Sequence, residues 1–414
     1  MKALIVDPAL HSMGGHHYNA VLQLQRELAR LDVHAPCLGS RYADSETVKK
    51  LACTPIFTSS VYGRDYSTRR AFRRSVEETS AQLSLGLRNQ GAPPDLLVLP
   101  CCDQVLAAAL ARHLRNIRFA SPPHIVLWLL YAPNYLRPED DPQVGRQREE
   151  YREAFAELKA SIGGAHRIQA YCETQPMAAY YANLLDLDIE VMAGPGLLPP
   201  RRRVRKRILT PDGLTTVACI GFANRPKGYR LLPNAVRHVL ECSRNTKFAI
   251  HGVVVGSDAE DEQPAFLALS KLGGRVSVRQ DVLTQAEYQA WLEEADLLLL
   301  PYDPAVYRSR GSGVFTEARA LGIPIVATAG CAFAQPAFDQ GWGMRIVDYS
   351  GAGIGRAVLS ALEQLQPLTM AAAAAASRTN DDLGQTLQTA LDRRRAEPTS
   401  GWKTMFRGLQ LRHA

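Results

Sequence analysis

The 414-residue sequence has no C-x-x-C pair among its 8 cysteines and no cysteine–histidine cluster at zinc-finger spacing. That excludes a structural zinc site of the familiar kind and thioredoxin-like dithiol chemistry. Several cysteines sit inside apolar runs, DLLVLPCC and TTVACIGF among them, as buried thiols in a reducing compartment do. No apolar stretch approaches the roughly 20 residues of a membrane-spanning helix. The opening MKALIVDPALHS has too short an apolar run for a secretory leader. A cytoplasmic location is therefore expected. No repeat of solenoid period occurs, and the first glycine turn is not a G-x-G-x-x-G fingerprint.

The hydrophobic fraction of 46% and charged fraction of 21% are those of a globular chain with a large core. At about 100–200 residues per domain, two domains are the simplest division. Lys+Arg 48 against Asp+Glu 41 gives a net charge of +7, which favours anionic partners such as phosphate-bearing substrates or an acidic membrane face. A nucleic-acid role rests on charge alone, with no recognised motif.

Short apolar runs alternate with longer amphipathic ones, the pattern of a doubly wound parallel α/β sheet. Strands are expected near Lys2–Asp7, Val33–Leu38, Asp95–Pro100, His124–Leu130, Arg167–Tyr171 and Asp188–Ala193. In the second half they fall near Leu214–Ile220, Lys247–Val255, Arg275–Val278, Asp296–Pro301, Ile323–Ala327 and Gly343–Val347. The intervening helices include Arg64–Asn89, Gln285–Glu294 and Gly313–Leu321. The Pro-, Gly- and Arg-rich Ala193–Gly213 reads as the linker. It separates a first domain at residues 1–200 from a second at 208–390. Its run Arg201–Arg207 is basic except for Val204. A second basic run, Arg64, Arg69, Arg70, Arg73 and Arg74, is expected along one helical face, where it could meet anionic lipid. In the tail, residues 399–414, Trp402, Met405, Phe406 and Leu409 form a helical apolar stripe expected to pack back on the first domain.

Three strand–turn–helix segments carry candidate chemistry. Ala295–Thr328 reads as strand, polar loop with Arg308 and Arg310, then a helix opened by Ser312, Gly313 and Val314 and carrying Glu317. A helix N-terminus presents unpaired N–H groups and a positive dipole end to a phosphate. Val217–Tyr229 ends a strand at Gly221 and offers Arg225 and Lys227 before Gly228, suiting a diphosphate. Gly14-Gly15-His16-His17 follows the first strand, where glycine permits close ligand approach. The bland alternatives are a Ser-capped helix with a surface glutamate, an ordinary basic loop and a structural histidine pair.

With these residues the chain resembles the GT-B glycosyltransferases of the large retaining family 4, the "group 1" glycosyltransferases. The resemblance covers essentially the whole chain and is strongest over Thr216–Thr328. It implies an α/β fold of two Rossmann-like domains facing a cleft. The family's G-R-x5-K-G pattern corresponds to Gly221 and Lys227-Gly228, and implies that Lys227 contacts the donor diphosphate. Phe222 stands where the family has its arginine, and Arg225 is expected to compensate. The second glutamate of the family's E-x7-E corresponds to Glu317, in Glu317-Ala318 before Gly322 and Pro324, and implies a ribose ligand. The first falls on Ser309, so Arg308 or Arg310 is expected to supply sugar contacts. The resemblance places Gln280–Val282 where backbone reads the nucleobase, and Gly15 at the donor phosphates. His16, His17 and Glu173 are acceptor-side candidates. Asp186-Leu187-Asp188 resembles a D-x-D metal motif, but the family is generally metal-independent, so neither metal nor cofactor is expected beyond the NDP-sugar co-substrate.

The reading that follows is a retaining glycosyltransferase. It moves a sugar from an NDP-sugar to a hydroxyl of a saccharide or lipid-linked acceptor, in bacterial envelope polysaccharide synthesis. Lys227, Arg225 and Glu317 form its catalytic set, and contact with the membrane is peripheral. Two alternatives stay open. One is a sugar-nucleotide epimerase, which would need acid/base residues around the sugar. The other is a catalytically degenerate partner or scaffold, favoured by Phe222 and Ser309.

Overall fold

The computed structural model describes residues 1–13, 15–90, 93–116, 122–134, 137–195, 213–254, 259–376 and 381–396. Gly14, the linker run Arg201–Arg207 and the tail 399–414 lie outside the described residues. The described residues fall into two compact units. One holds those of Met1–Glu173, Met177–Gly196 and Asp382–Ala414, the other those of Thr174–Pro176 and Leu197–Asp381.

The first unit is built on seven parallel strands: β1 (Ala3–Val6), β2 (Cys37–Ser40), β3 (Cys53–Phe57), β4 (Leu96–Leu99), β5 (His124–Trp128), β6 (Ile168–Cys172) and β7 (Ile189–Val191). Their order is β3-β2-β1-β4-β5-β6-β7. The strands read as continuous apolar runs because both faces are covered. Leu4, Val6, Leu97 and Leu99 enter one buried cluster, while Ala3, Ile5, Leu96 and Val98 enter the other. Helix α1 (Gly15–Arg30) follows β1 and packs Val21, Leu24 and Leu28 into the second cluster. Helix Asp381–Ala396 joins the same cluster through Leu383, Leu387, Ala390 and Leu391, one stripe at helical spacing. Arg394 Nη2 there donates to Asp95 Oδ1 at 3.1 Å.

The second unit repeats the scheme with β8 (Thr215–Cys219), β10 (Thr246–His251), β12 (Val276–Arg279), β13 (Leu297–Leu300), β14 (Ile325–Thr328) and β15 (Gly343–Ile346), ordered β12-β10-β8-β13-β14-β15 and all parallel. β9 (Phe222–Ala223) and β11 (Val253–Val254) form a separate two-stranded ribbon. All four leucines of β13 are buried, each contributing roughly 1.5–3 kcal/mol by burial. In both units the order reverses beside the first strand, between β1 and β4 and between β8 and β13. Ligands of open parallel sheets bind outside the carboxyl ends of strands at such a point.

The structure corrects several local expectations. Arg64 is not on the basic helix, which begins at Arg69. It is buried and paired with Asp103, which also accepts from Tyr66 Oη at 2.6 Å and caps the next helix through Leu106 N at 2.8 Å. On the helix itself, Arg69 pairs with Glu153 and Arg74 with Glu78, which neutralises part of the expected basic face. The expected strand Lys247–Val255 divides at Gly252. A side chain there would meet the Phe266 ring at 2.5 Å and the Tyr229 ring at 2.9 Å, so the backbone passes tightly over two aromatic rings. β3 was not anticipated, because its burial is confined to its ends and it contains Pro55.

Candidate functional site

The second unit's reversal point is furnished by the two segments that follow β8 and β13. After β8 the chain turns at Gly221 (φ 131°), runs through the ribbon strand β9 and makes a single helical turn, Arg225–Lys227. Gly228 ends that turn at φ 73°, in the left-handed region. A Cβ at Gly228 would lie 2.1 Å from the Pro301 carbonyl oxygen, so only glycine lets this turn seat against the end of β13. Asp303 N donates to Pro226 O at 2.7 Å and ties the two loops together. Lys227 is thereby directed back over the strand end. Its Nζ lies 2.9 Å from where a Gly221 Cβ would stand and 5.5 Å from the centre of the Tyr302 ring. Burial pushes the Lys227 ammonium down to about 8, Arg310 pushes the same way, and Glu317 opposes it.

After β13, Asp303 caps the short helix Pro304–Tyr307, and the Arg310 guanidinium lies 5.2 Å from the centre of the Tyr307 ring. Helix α3 (Gly313–Leu321), beyond α2 (Gln285–Glu294), begins with Ser312 at its cap, Oγ accepting from Phe315 N at 3.3 Å. It ends at Gly322, left-handed at φ 67°. The Ser312 hydroxyl thus serves its own helix, while Gly313 and Val314 N–H lie in the first turn, where no intrahelical carbonyl faces them. One turn on, the half-buried Glu317 accepts a hydrogen bond from the Tyr288 hydroxyl of α2 (Gln285–Glu294). Burial pushes the Glu317 carboxyl up to about 7, against the opposing pull of Tyr288 and Lys227.

Of the other donor-side candidates, Arg225 is exposed and Val282 is 79% exposed. Gln280 pairs with Gln263 (Nε2 to Oε1, 2.9 Å), and His251 Nε2 donates to Asp281 O at 2.8 Å, anchoring the Gln280–Val282 loop. Phe222, in the arginine's place, is 59% exposed on β9.

The first unit's reversal point is furnished differently. Gly15 is left-handed at φ 84°, with open space around it. His17 Nδ1 lies 2.8 Å from Asp7 Oδ2, and its Nε2 lies 2.9 Å from Tyr62 Oη. With the carboxylate accepting from Nδ1–H, Nε2 accepts from the phenol. His16 Nε2 is 3.0 Å and Tyr131 Oη 3.2 Å from the same Tyr62 oxygen. Burial works to raise the Asp7 pKa, but His17 and the Ala9 N–H outweigh it and hold the carboxyl below the usual range. Glu173 follows β6, three strand spacings or roughly 14 Å across the sheet from β1.

Sequence reasoning missed Asp7, Tyr62, Tyr131 and Tyr288. Asp7 had a signal, as a carboxylate closing an apolar strand. The tyrosines had none, because each meets its partner across a long chain separation. Among the described residues no group of three or more His, Cys, Asp and Glu side chains could hold a metal ion, and no helix is long and apolar enough to cross a membrane.

Residues 215–364 match the family model described as Glycosyl transferases group 1. No curated protein matches the sequence. The backbone is similar to that of a glycosyltransferase from Rickettsia africae, with TM-score 0.66 and 10% identity over 94% of this chain and 98% of that one. It is also similar to Anabaena HepE in complex with UDP (TM-score 0.61, 14% identity, 95% and 100% covered). A third likeness is to a Listeria monocytogenes protein assigned as a UDP-N-acetylglucosamine 2-epimerase (TM-score 0.60, 12% identity, 94% and 95% covered). At these identities the likeness shows the fold, which is GT-B, with its two Rossmann-like sheets.

Proposed function

We propose that this chain is a retaining glycosyltransferase. It transfers a sugar from an NDP-sugar to a hydroxyl of a saccharide or lipid-linked acceptor, in bacterial envelope polysaccharide synthesis. The observation that carries the reading is the convergence, at one reversal point inside residues 215–364, of Lys227, the first turn of α3 and Glu317. Breaking the bond between the anomeric carbon and the diphosphate leaves negative charge on the departing oxygen. Lys227 and the Gly313 and Val314 N–H groups are suited to stabilise it, with Arg225 and Arg310 as further cations; Gly15 is the first unit's candidate for the donor phosphates. Glu317 accepts from the two ribose hydroxyls, and the Gln280–Val282 backbone reads the base. His16, His17 and Glu173 serve the acceptor. In the retaining course the acceptor attacks on the face the diphosphate leaves, and its proton passes to that phosphate. No cofactor is assigned, and membrane contact is peripheral.

The likeness to the epimerase-assigned fold favours a second reading, sugar-nucleotide epimerisation. Incubation with UDP-sugars and no acceptor separates the two, since only an epimerase interconverts them. If nucleotide binds but neither reaction occurs over varied sugars and acceptors, the chain is a binding partner that has lost catalysis. For the site itself, Glu317→Gln is expected to weaken NDP binding about ten- to hundredfold in calorimetry, the worth of a charge-assisted bond. An amide offers one acceptor oxygen where a carboxylate offers two, because its other terminal atom is a donor. Unchanged binding would refute the ribose role.

A further inference from the structure

Glu317 is held before any ligand arrives. The holding group, Tyr288, belongs to a turn tied by several side-chain bonds. Thr284 and Glu287 cap α2 reciprocally: Thr284 N donates to Glu287 Oε2 at 2.9 Å, Thr284 Oγ1 donates to the same oxygen at 2.8 Å, and Glu287 N donates to Thr284 Oγ1 at 3.3 Å. Arg279, ending β12, donates to Glu287 Oε1 at 3.2 Å and through Nε to Asp281 Oδ1 at 3.0 Å. Tyr288 N donates to Thr284 O at 2.9 Å. The Tyr288 ring packs on the apolar cluster that contains Phe315 and Ala318 of α3.

We propose that Tyr288 is the positioning residue of the nucleotide site. Its hydroxyl fixes the Glu317 carboxylate to receive the ribose diol, and its turn carries the Gln280–Val282 loop, so base and ribose are read by one connected piece. This rests on the reading of Glu317 as the ribose ligand. A carboxylate offers about four lone-pair sites, so one bond to Tyr288 leaves room for both ribose hydroxyls. Fixing the side chain beforehand removes the ordering loss from the binding step. A phenol donor also favours the ionised carboxylate, which counts here because burial pushes Glu317 the other way. The ionisable groups facing Glu317 are Tyr288 from α2 and Lys227 from the turn after β8, with Arg310 and Cys219 facing Lys227 in turn.

The test uses Tyr288→Phe, which keeps the ring and its packing. Calorimetry is run with UDP, GDP and ADP, and with the 2′-deoxy form of whichever wild type binds most tightly. At pH 6.5 the variant is expected to bind that diphosphate about three- to tenfold more weakly. The preference for the ribose over the deoxyribose form is expected to shrink. The ratio of wild-type to variant affinity is expected to narrow at pH 8, because the carboxyl without its donor loses charge first at the lower pH. In a Glu317→Gln background, Tyr288→Phe is expected to change binding less than about twofold. Equal losses in both backgrounds, or an unchanged ribose preference, would overturn the positioning role while leaving the nucleotide site intact. Failure of wild type to bind any of the three diphosphates would overturn the site itself and the proposal with it.

Discussion

The two units share one topology and place a glycine turn at the same point of it, yet the turns are finished in opposite ways. After β1, the polar groups satisfy one another: Asp7 holds His17, and His17 and His16 meet the Tyr62 hydroxyl. After β8, the turn brings a cation into a buried position whose surroundings disfavour its charge. The adjoining helix start adds N–H groups that its own backbone does not use. A cluster whose groups already pair with one another needs no ion, whereas a cation beside a helix start is arranged for an anion. Topology marks where a ligand can sit, and the furnishing of each turn indicates which kind.

The comparison can be broken hardest at its glycines. Gly228→Ala drives a Cβ into the Pro301 carbonyl at φ 73°. It is expected to lower stability by about 3 kcal/mol or more in denaturant unfolding and to abolish measurable NDP binding. Gly15→Ala has a similar φ but open space around it, and is expected to lose only about 1–2 kcal/mol. Equal effects would mean that the second turn is not seated as described. A smaller effect is expected from Asp7→Asn, which removes a buried carboxylate that accepts from His17 and the Ala9 N–H. Stability should fall by about 1–3 kcal/mol, with NDP affinity within twofold of wild type. A large loss of NDP affinity in Asp7→Asn would contradict the contrast between the two turns.

The sheets were legible because strands covered on both faces must be apolar throughout, as in Leu297–Leu300. Helices Gln285–Glu294 and Gly313–Leu321 were legible to the residue because their ends carry chemical stops, Thr284 with Glu287 at one start and Ser312 with Gly322 bracketing the other. Within the candidate site, Lys227, Gly228, Ser312 and Glu317 were readable from local spacing. Arg64 was misread because a charge at helical spacing looks solvated until its partner, Asp103, is known. The bonds His17–Tyr62 and Tyr288–Glu317 join residues on different elements, and no period in the sequence links their ends. Side chains that position other side chains therefore escape a motif reading that finds the positioned ones.

The central claim, that the turn after β8 is built for a diphosphate, is tested most directly by calorimetry on wild type and Lys227→Ala, each titrated with a nucleoside diphosphate and with its nucleoside. The account predicts a loss of about ten- to hundredfold for the diphosphate and less than about twofold for the nucleoside in the variant. Equal losses for both ligands, or diphosphate binding that survives the substitution, would contradict it.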